Sequence, residues 1–408
     1  MRFHQSNNNW PYEKSENYLI KLGLFFVSPL LAFLWSLGSL KTKSSYIIFF
    51  LFFLYFGICF TPLDSGLDSY TYIESFKSMQ YVTTRDLITL SYNSIYLEGY
   101  DKGLYFVFSS YLISLFTNNY HFLFLFFALV FSFFSLRSFK MLSHEKEFDS
   151  SVYCLIICFL FSFNQIFNIN GVRFWTAAWV AVFCLLKIVL YSDKKFWLLL
   201  LLTPFIHQSF WFLIVVVLLI LSSRKFEYVW TVLFFLSFIF ANLSLTAASE
   251  RFADILPSSL AHMLDVYTSE DALAKRADSS LVGTVFDGLV HFYRGVIIVY
   301  FINKRKKILS DIRTERLFLF LLPFITCINF VLPIPSLGVR YMVLTYPFIA
   351  YLLCIGFRRD AFVKFLLAIL PIVFLKEIAV MVIRYQAALE PEFFYYNPLY
   401  LIYKYLFT

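Results

Sequence analysis

Predominantly apolar runs, each about twenty residues long and parted by short polar turns, fill most of the chain. The spans read from them are 18–40, 45–63, 119–139, 151–170, 172–191, 196–223, 227–247, 282–302, 317–336, 340–357 and 361–382. A helix needs about 20 apolar residues to cross a bilayer, and in hydrocarbon each backbone polar group has to be satisfied inside its own helix. The pattern predicts an all-α fold: one polytopic integral membrane helical bundle over 1–408, with about 11–13 transmembrane helices.

Two segments depart from that rule. The 196–223 run is too long for one straight crossing and carries His207, Gln208 and Ser209 at its centre. Two short helices joined there return the chain to the side it left. The 103–116 stretch is apolar but too short to span, which predicts a half-helix or an interfacial helix. The first apolar run begins near Tyr18 and is long enough to cross, so no cleavable signal peptide is expected.

Alternate loops differ in charge. Those holding Lys41, Lys43, Arg137, Lys140, Lys194, Lys195, the 303–316 loop and Arg358 are rich in Lys and Arg. The intervening ones, including long loops at 64–103 and 246–281, hold about half as many cations and most of the loop acids. The positive-inside rule puts the first set in the cytoplasm and the second outside, with the N-terminal tail also outside.

Composition removes other classes. Hydrophobic residues make up 60% of the chain and charged ones 15%, whereas soluble domains carry about 25% charged residues. The net charge of +8 sits in short loops where it sets orientation, so nucleic acid is not an expected partner. The six cysteines lie in apolar stretches without a Cys-x-x-Cys pair, which suggests neither disulfides nor zinc. No P-loop, His-Glu-x-x-His or Gly-x-Ser-x-Gly motif is present, and no metal or cofactor site is expected. No loop is large enough to hold a nucleotide-binding domain, so any donor has to be lipid-linked.

Three features carry candidate chemistry. Asp64, Asp68 and Tyr72 follow the second span closely; a partly desolvated carboxylate there could act as a general base or position a sugar hydroxyl. The plain alternative is an acidic loop capping a helix. Two isolated arginines, Arg173 and Arg340, each follow Gly-Val at a short outer turn. A guanidinium makes bidentate contacts with phosphate, although long basic side chains at helix ends also snorkel to headgroups. Within the membrane, Asp287, His291 and Arg294 share one helix face, which marks either a functional path or an internal Asp–Arg pair. His207, in its polar break, reads equally as catalytic or as a hydrogen-bonded structural residue.

The order of these motifs resembles the EpsG/Wzy family of polysaccharide repeat-unit polymerases of bacterial inner membranes. The matching residues are Gly66 to Tyr72, Glu98 to Tyr105, Leu115 to Asn119, Asn170 to Arg173, Asp193-Lys-Lys, Phe205 to Ser209 and Gly338 to Tyr341. The chain departs in lacking the arginine that the family carries shortly before its Gly-x-Asp motif; Arg294 is a candidate for that role. The resemblance implies a multi-pass inner-membrane glycosyltransferase that makes O-antigen-like surface polysaccharide. It implies transfer of a growing glycan from undecaprenyl pyrophosphate to a lipid-linked repeat unit, and a chain-length regulator protein as a partner. Asp64, Asp68 and His207 become the base candidates. Arg173, Arg340, Arg294, Tyr72 and Glu98 become candidates for holding pyrophosphate and glycan. A flippase for the same lipid-linked oligosaccharide, or an O-antigen ligase-like glycosyltransferase, is the rival.

Overall fold

The computed structural model describes residues 15–62, 67–96, 103–240, 281–332 and 337–407. Within them the chain is helical apart from one antiparallel bridge between Phe60 and Leu389. The helical membrane fold is the one the apolar runs predict. Full-length crossings are fewer: five described stretches are long and apolar enough to span, or six if the bent pair Ala361–Val373 and Leu375–Gln386 counts as one. That pair turns by 46° just after Pro371, which has no N–H to give Leu367 and crowds its carbonyl.

Among the described residues, some apolar runs break into shorter helices, and Lys43–Cys59 is an unbroken helix of 17 residues. The 18–40 run, expected to cross once, forms Ser15–Val27 and Pro29–Leu37. Lys21 Nζ donates to Ser39 Oγ at 2.8 Å and to Ser44 Oγ at 2.7 Å. A straight helix would hold Lys21 and Ser39 about 27 Å apart, so the chain doubles back at Ser28. There Ser28 is extended, its hydroxyl accepts from Leu31 N–H, and Pro29 opens the second helix. Residues 15–27 therefore start on the face of Lys41 and Lys43, not across from it. Val152–Phe161 and Val172–Tyr191 are likewise antiparallel, as expected: Phe161 stacks on Trp179 at 5.5 Å, and Trp179 Nε1 donates to Asn164 O at 2.9 Å.

Contacts between connecting segments stay within one face. On the Lys/Arg-rich face, Lys41 donates to Glu145 O at 2.8 Å, Arg313 pairs with Glu145 Oε2 at 2.8 Å, and Tyr351 OH donates to the other oxygen of the same carboxylate. Arg358 bonds Glu147 O and the Asp149 carboxylate, and Arg316 donates to Ser192 Oγ at 2.8 Å. On the opposite face, Thr61 N–H donates to Ala388 O at 2.9 Å, Asn119 Nδ2 to Tyr405 O at 3.1 Å, and Tyr385 OH to Gln165 Oε1 at 3.0 Å. The charge partition along the sequence thus matches a partition in space.

In a bilayer, helices gain little by burying apolar surface against each other, so close packing has to hold them. Gly57 provides it between Lys43–Cys59 and Tyr120–Ser143. A Cβ there would stand 2.4 Å from Ala128 Cβ and 2.8 Å from Phe124 O.

Candidate functional site

On the face away from the basic loops, a 3₁₀ turn at Ile166–Gly171 delivers the chain into Val172–Tyr191 and sets Arg173 in its first turn. Asn170 Oδ1 in that turn accepts from Ser69 N–H at 3.1 Å, tying it to the start of the Asp68–Met79 helix. Asp68 and Tyr72 lie one turn apart on that helix and share a face. Arg173 Nε donates to Tyr72 OH at 3.3 Å, with the guanidinium 5.8 Å from the ring centre. Asp68 Oδ2 lies 3.7 Å from where a Cβ on Gly171 would stand. Its side chain is exposed and, among the described residues, has no hydrogen-bond or ion-pair partner.

The second arginine comes to the same place. Arg340 stacks over the Phe174 ring at 5.4 Å, and Phe174 is the residue after Arg173. Tyr341, the residue after Arg340, meets Phe174 edge to face at 5.5 Å. His207 packs edge to face on Phe174 at 5.3 Å, and its surrounding charges are those of Arg173 and Arg340. The two Gly-Val-Arg-aromatic sequences thus close around one phenyl ring.

The imidazole is held from one side. Ser209 N–H donates to His207 Nδ1 at 3.3 Å, and Ser209 Oγ lies 2.7 Å from the same nitrogen. Tyr341 OH donates to Ser209 O at 2.7 Å and stands 3.3 Å from Ser209 Oγ. With Nδ1 accepting, the neutral ring carries its hydrogen on Nε2. In this state His207 is a hydrogen-bond donor.

Short helices border this centre. The 196–223 run divides at His207, as its polar middle predicts, into Phe196–Ile206 and Phe210–Ser223. Eleven residues reach about 16 Å, against about 30 Å of hydrocarbon. The half-helix expected near 103–116 is Leu104–Ser114. Its N-cap, Gly103, has φ +75°, where a side chain is strained, and packs against Ile206 O and Arg173 Cδ. Two short helices therefore end beside Arg173, at the start of the long helix Val172–Tyr191.

Asp68, Tyr72, Arg173, His207 and Arg340 are brought together. Asp64 and Glu98 lie outside the described residues. Arg294 stands elsewhere, 2% exposed, donating to Asn329 Oδ1 at 2.7 Å. The internal Asp–Arg pair considered for its helix does not form, because Asp287 pairs with Lys376 instead. Sequence reasoning missed Phe174 and Tyr341, although each follows a singled-out arginine. Within the long 64–103 connection the structure has helix Asp68–Met79, beginning where the capping alternative puts one, and a second helix, Thr84–Tyr96. The signal was Thr83-x-x-Asp86: Thr83 N–H donates to Asp86 Oδ2 at 3.0 Å and Asp86 N–H to Thr83 Oγ1 at 3.3 Å, a capping box with Asp in the acidic position.

These features define a multi-pass helical membrane protein with a cationic, aromatic centre on its less basic face. The sequence model of the EpsG family matches residues 44–398. The chain belongs to the EpsG family and is a membrane protein of polysaccharide biosynthesis. No curated protein and no solved structure matches it.

Proposed function

We propose that the protein is a surface-polysaccharide polymerase of a bacterial inner membrane, with the cationic centre facing away from the cytoplasm. It transfers a growing glycan from undecaprenyl pyrophosphate to a lipid-linked repeat unit. An acceptor hydroxyl attacks the anomeric carbon of the donor sugar, and the bond from that carbon to the pyrophosphate oxygen breaks. The electron pair leaves with the pyrophosphate, and the hydroxyl proton passes to a carboxylate.

The observation that carries this reading is the convergence of Arg173, Arg340 and His207 on Phe174, with Asp68 on the neighbouring helix. Developing negative charge on a leaving pyrophosphate is stabilised most by fixed cations and donors in a low-dielectric site. Arg173 and Arg340 supply the cations, and His207 Nε2–H supplies a donor. Asp68 is the accessible proton acceptor, and Tyr72 anchors Arg173.

Deletion followed by gel analysis of surface glycan tests the class of reaction. Loss of the long-chain ladder with one repeat unit retained supports a polymerase; loss of every repeat supports a flippase or ligase. Arg173→Ala and Arg340→Ala are each expected to lower long-chain glycan by about 10²–10³-fold, the scale for losing one fixed transition-state donor. Unchanged ladders in both variants would sink the leaving-group role.

A further inference from the structure

Two tryptophans stand one turn apart on Val172–Tyr191 and differ in how their indoles are satisfied. Trp179 is 2% exposed, and its N–H donates to Asn164 O at 2.9 Å. Trp175 is half-buried; its indole N–H is not enclosed and has no partner among the described residues. A partly covered tryptophan ordinarily finds an acceptor for that hydrogen. Trp175 holds a donor unused.

Gly171 explains where that donor lies. Helical side chains lean toward the N-terminus, which carries Trp175 back over Gly171, four residues earlier. A Cβ on Gly171 would stand 3.2 Å from Trp175 Cδ1, 3.4 Å from Trp175 Nε1 and 3.7 Å from Asp68 Oδ2. The bare glycine thus leaves a notch with a donor on one side and a carboxylate on the other. Its φ of −100° is open to other residues, so backbone conformation does not account for the glycine. The two walls are tied together, because Asn170 Oδ1, just before Gly171, accepts from Ser69 N–H, just after Asp68.

A hydroxyl-rich ring is the ligand that this pairing suits. Each hydroxyl gives one hydrogen and offers two lone pairs, so neighbouring hydroxyls can donate to Asp68 Oδ2 and accept from Trp175 Nε1. An acyl chain would leave both polar groups unmet, and a phosphate would meet the Asp68 charge at close range. We infer that Gly171 and Trp175, with Asp68, form the subsite for the acceptor sugar, and that Trp175 selects its hydroxyl pattern. This rests on the polymerase reading, in which the attacking hydroxyl gives its proton to a carboxylate. Asp68 holds that hydroxyl, and the indole N–H fixes its neighbour. A sugar without the neighbouring hydroxyl leaves the donor unpaired and binds less tightly.

Binding of two probes to the purified full chain tests this. One is the single repeat-unit oligosaccharide cut from the host's own surface glycan, followed by ligand-observed NMR. The other is farnesyl diphosphate, followed by native mass spectrometry. The unaltered protein is expected to bind both. Trp175→Phe keeps a ring and loses the N–H, so oligosaccharide affinity should fall about 3–10-fold, the range for one hydrogen bond. Gly171→Ala fills the notch and should lower it at least as much. Farnesyl diphosphate affinity should change in neither variant, and should be lost in the Arg173→Ala, Arg340→Ala double variant. Unchanged oligosaccharide affinity in both single variants overturns the inference, as does failure of the unaltered protein to bind the oligosaccharide. The polymerase reading is judged separately: farnesyl diphosphate still bound by the double variant sinks the leaving-group role. If Gly171→Ala loses both probes through misfolding, Trp175→Phe decides alone; loss of both probes there also overturns the subsite.

Discussion

The two faces of this membrane protein use arginine in opposite ways. On the basic face, Arg313 meets Glu145 at 2.8 Å, Tyr351 closes on the same carboxylate, and Arg358 meets Asp149. On the other face, Arg340 lies against a phenyl ring, and Arg173 against a tyrosine. Where an acid faces each cation, charge serves as a clamp between loops. Where a ring lies against Arg340, no acid among the described residues pairs with it, and its charge suits an incoming anion.

This contrast breaks or sharpens by substitution. The largest effect is expected at Arg340→Ala. Long-chain glycan should fall by about 10²–10³-fold, while the melting temperature of the purified protein stays within a few degrees. Arg313→Ala should do the reverse. The side chain of Glu145 is 10% exposed but that of Arg313 is 41% exposed, and Tyr351 stays on the carboxylate, so removing the arginine is expected to cost about 1–2 kcal/mol of stability. Thermal unfolding should report that cost, with activity per folded molecule retained. If Arg313→Ala cells lose glycan while the protein keeps its melting temperature, the two faces are not divided in this way.

Gly103→Ala comes next. It forces a side chain into a left-handed conformation at a cost of about 1–2 kcal/mol and presses toward Arg173. A several-fold drop in polymer length with normal protein levels is expected, read from the gel ladder. Last, Arg358→Gln removes a half-exposed pair, worth about 1 kcal/mol or less. Melting in low and high salt should barely differ between it and the parent.

Much of this arrangement was legible along the chain, for physical reasons. The apolar runs specify helices because hydrocarbon permits little else, and the polar break at His207 divides its run where expected. Both Gly-Val-Arg sequences pointed to the cationic centre because cations are rare on that face. What the runs conceal is where a helix stops. The 18–40 stretch is as hydrophobic as any crossing, and only Ser28-Pro29, with the hydroxyls that receive Lys21, shows that it doubles back. The second helix of the 64–103 connection was hidden for the opposite reason. It lies outside the apolar pattern, and its evidence was a cap. Pairing of Asp287 with Lys376, rather than Arg294, depended on a helix nearly ninety residues away.

The truncated helices around His207 and Gly103 have a consequence for the surrounding lipid. Their ends are fixed by sequence, so thickening the bilayer raises the headgroup plane without raising the reacting groups. On the proposed function, a carrier lipid would then have to sink further before its head met His207. Polymer length in reconstituted vesicles should therefore shrink as acyl chains lengthen, making the thickness of the membrane itself a setting on the product.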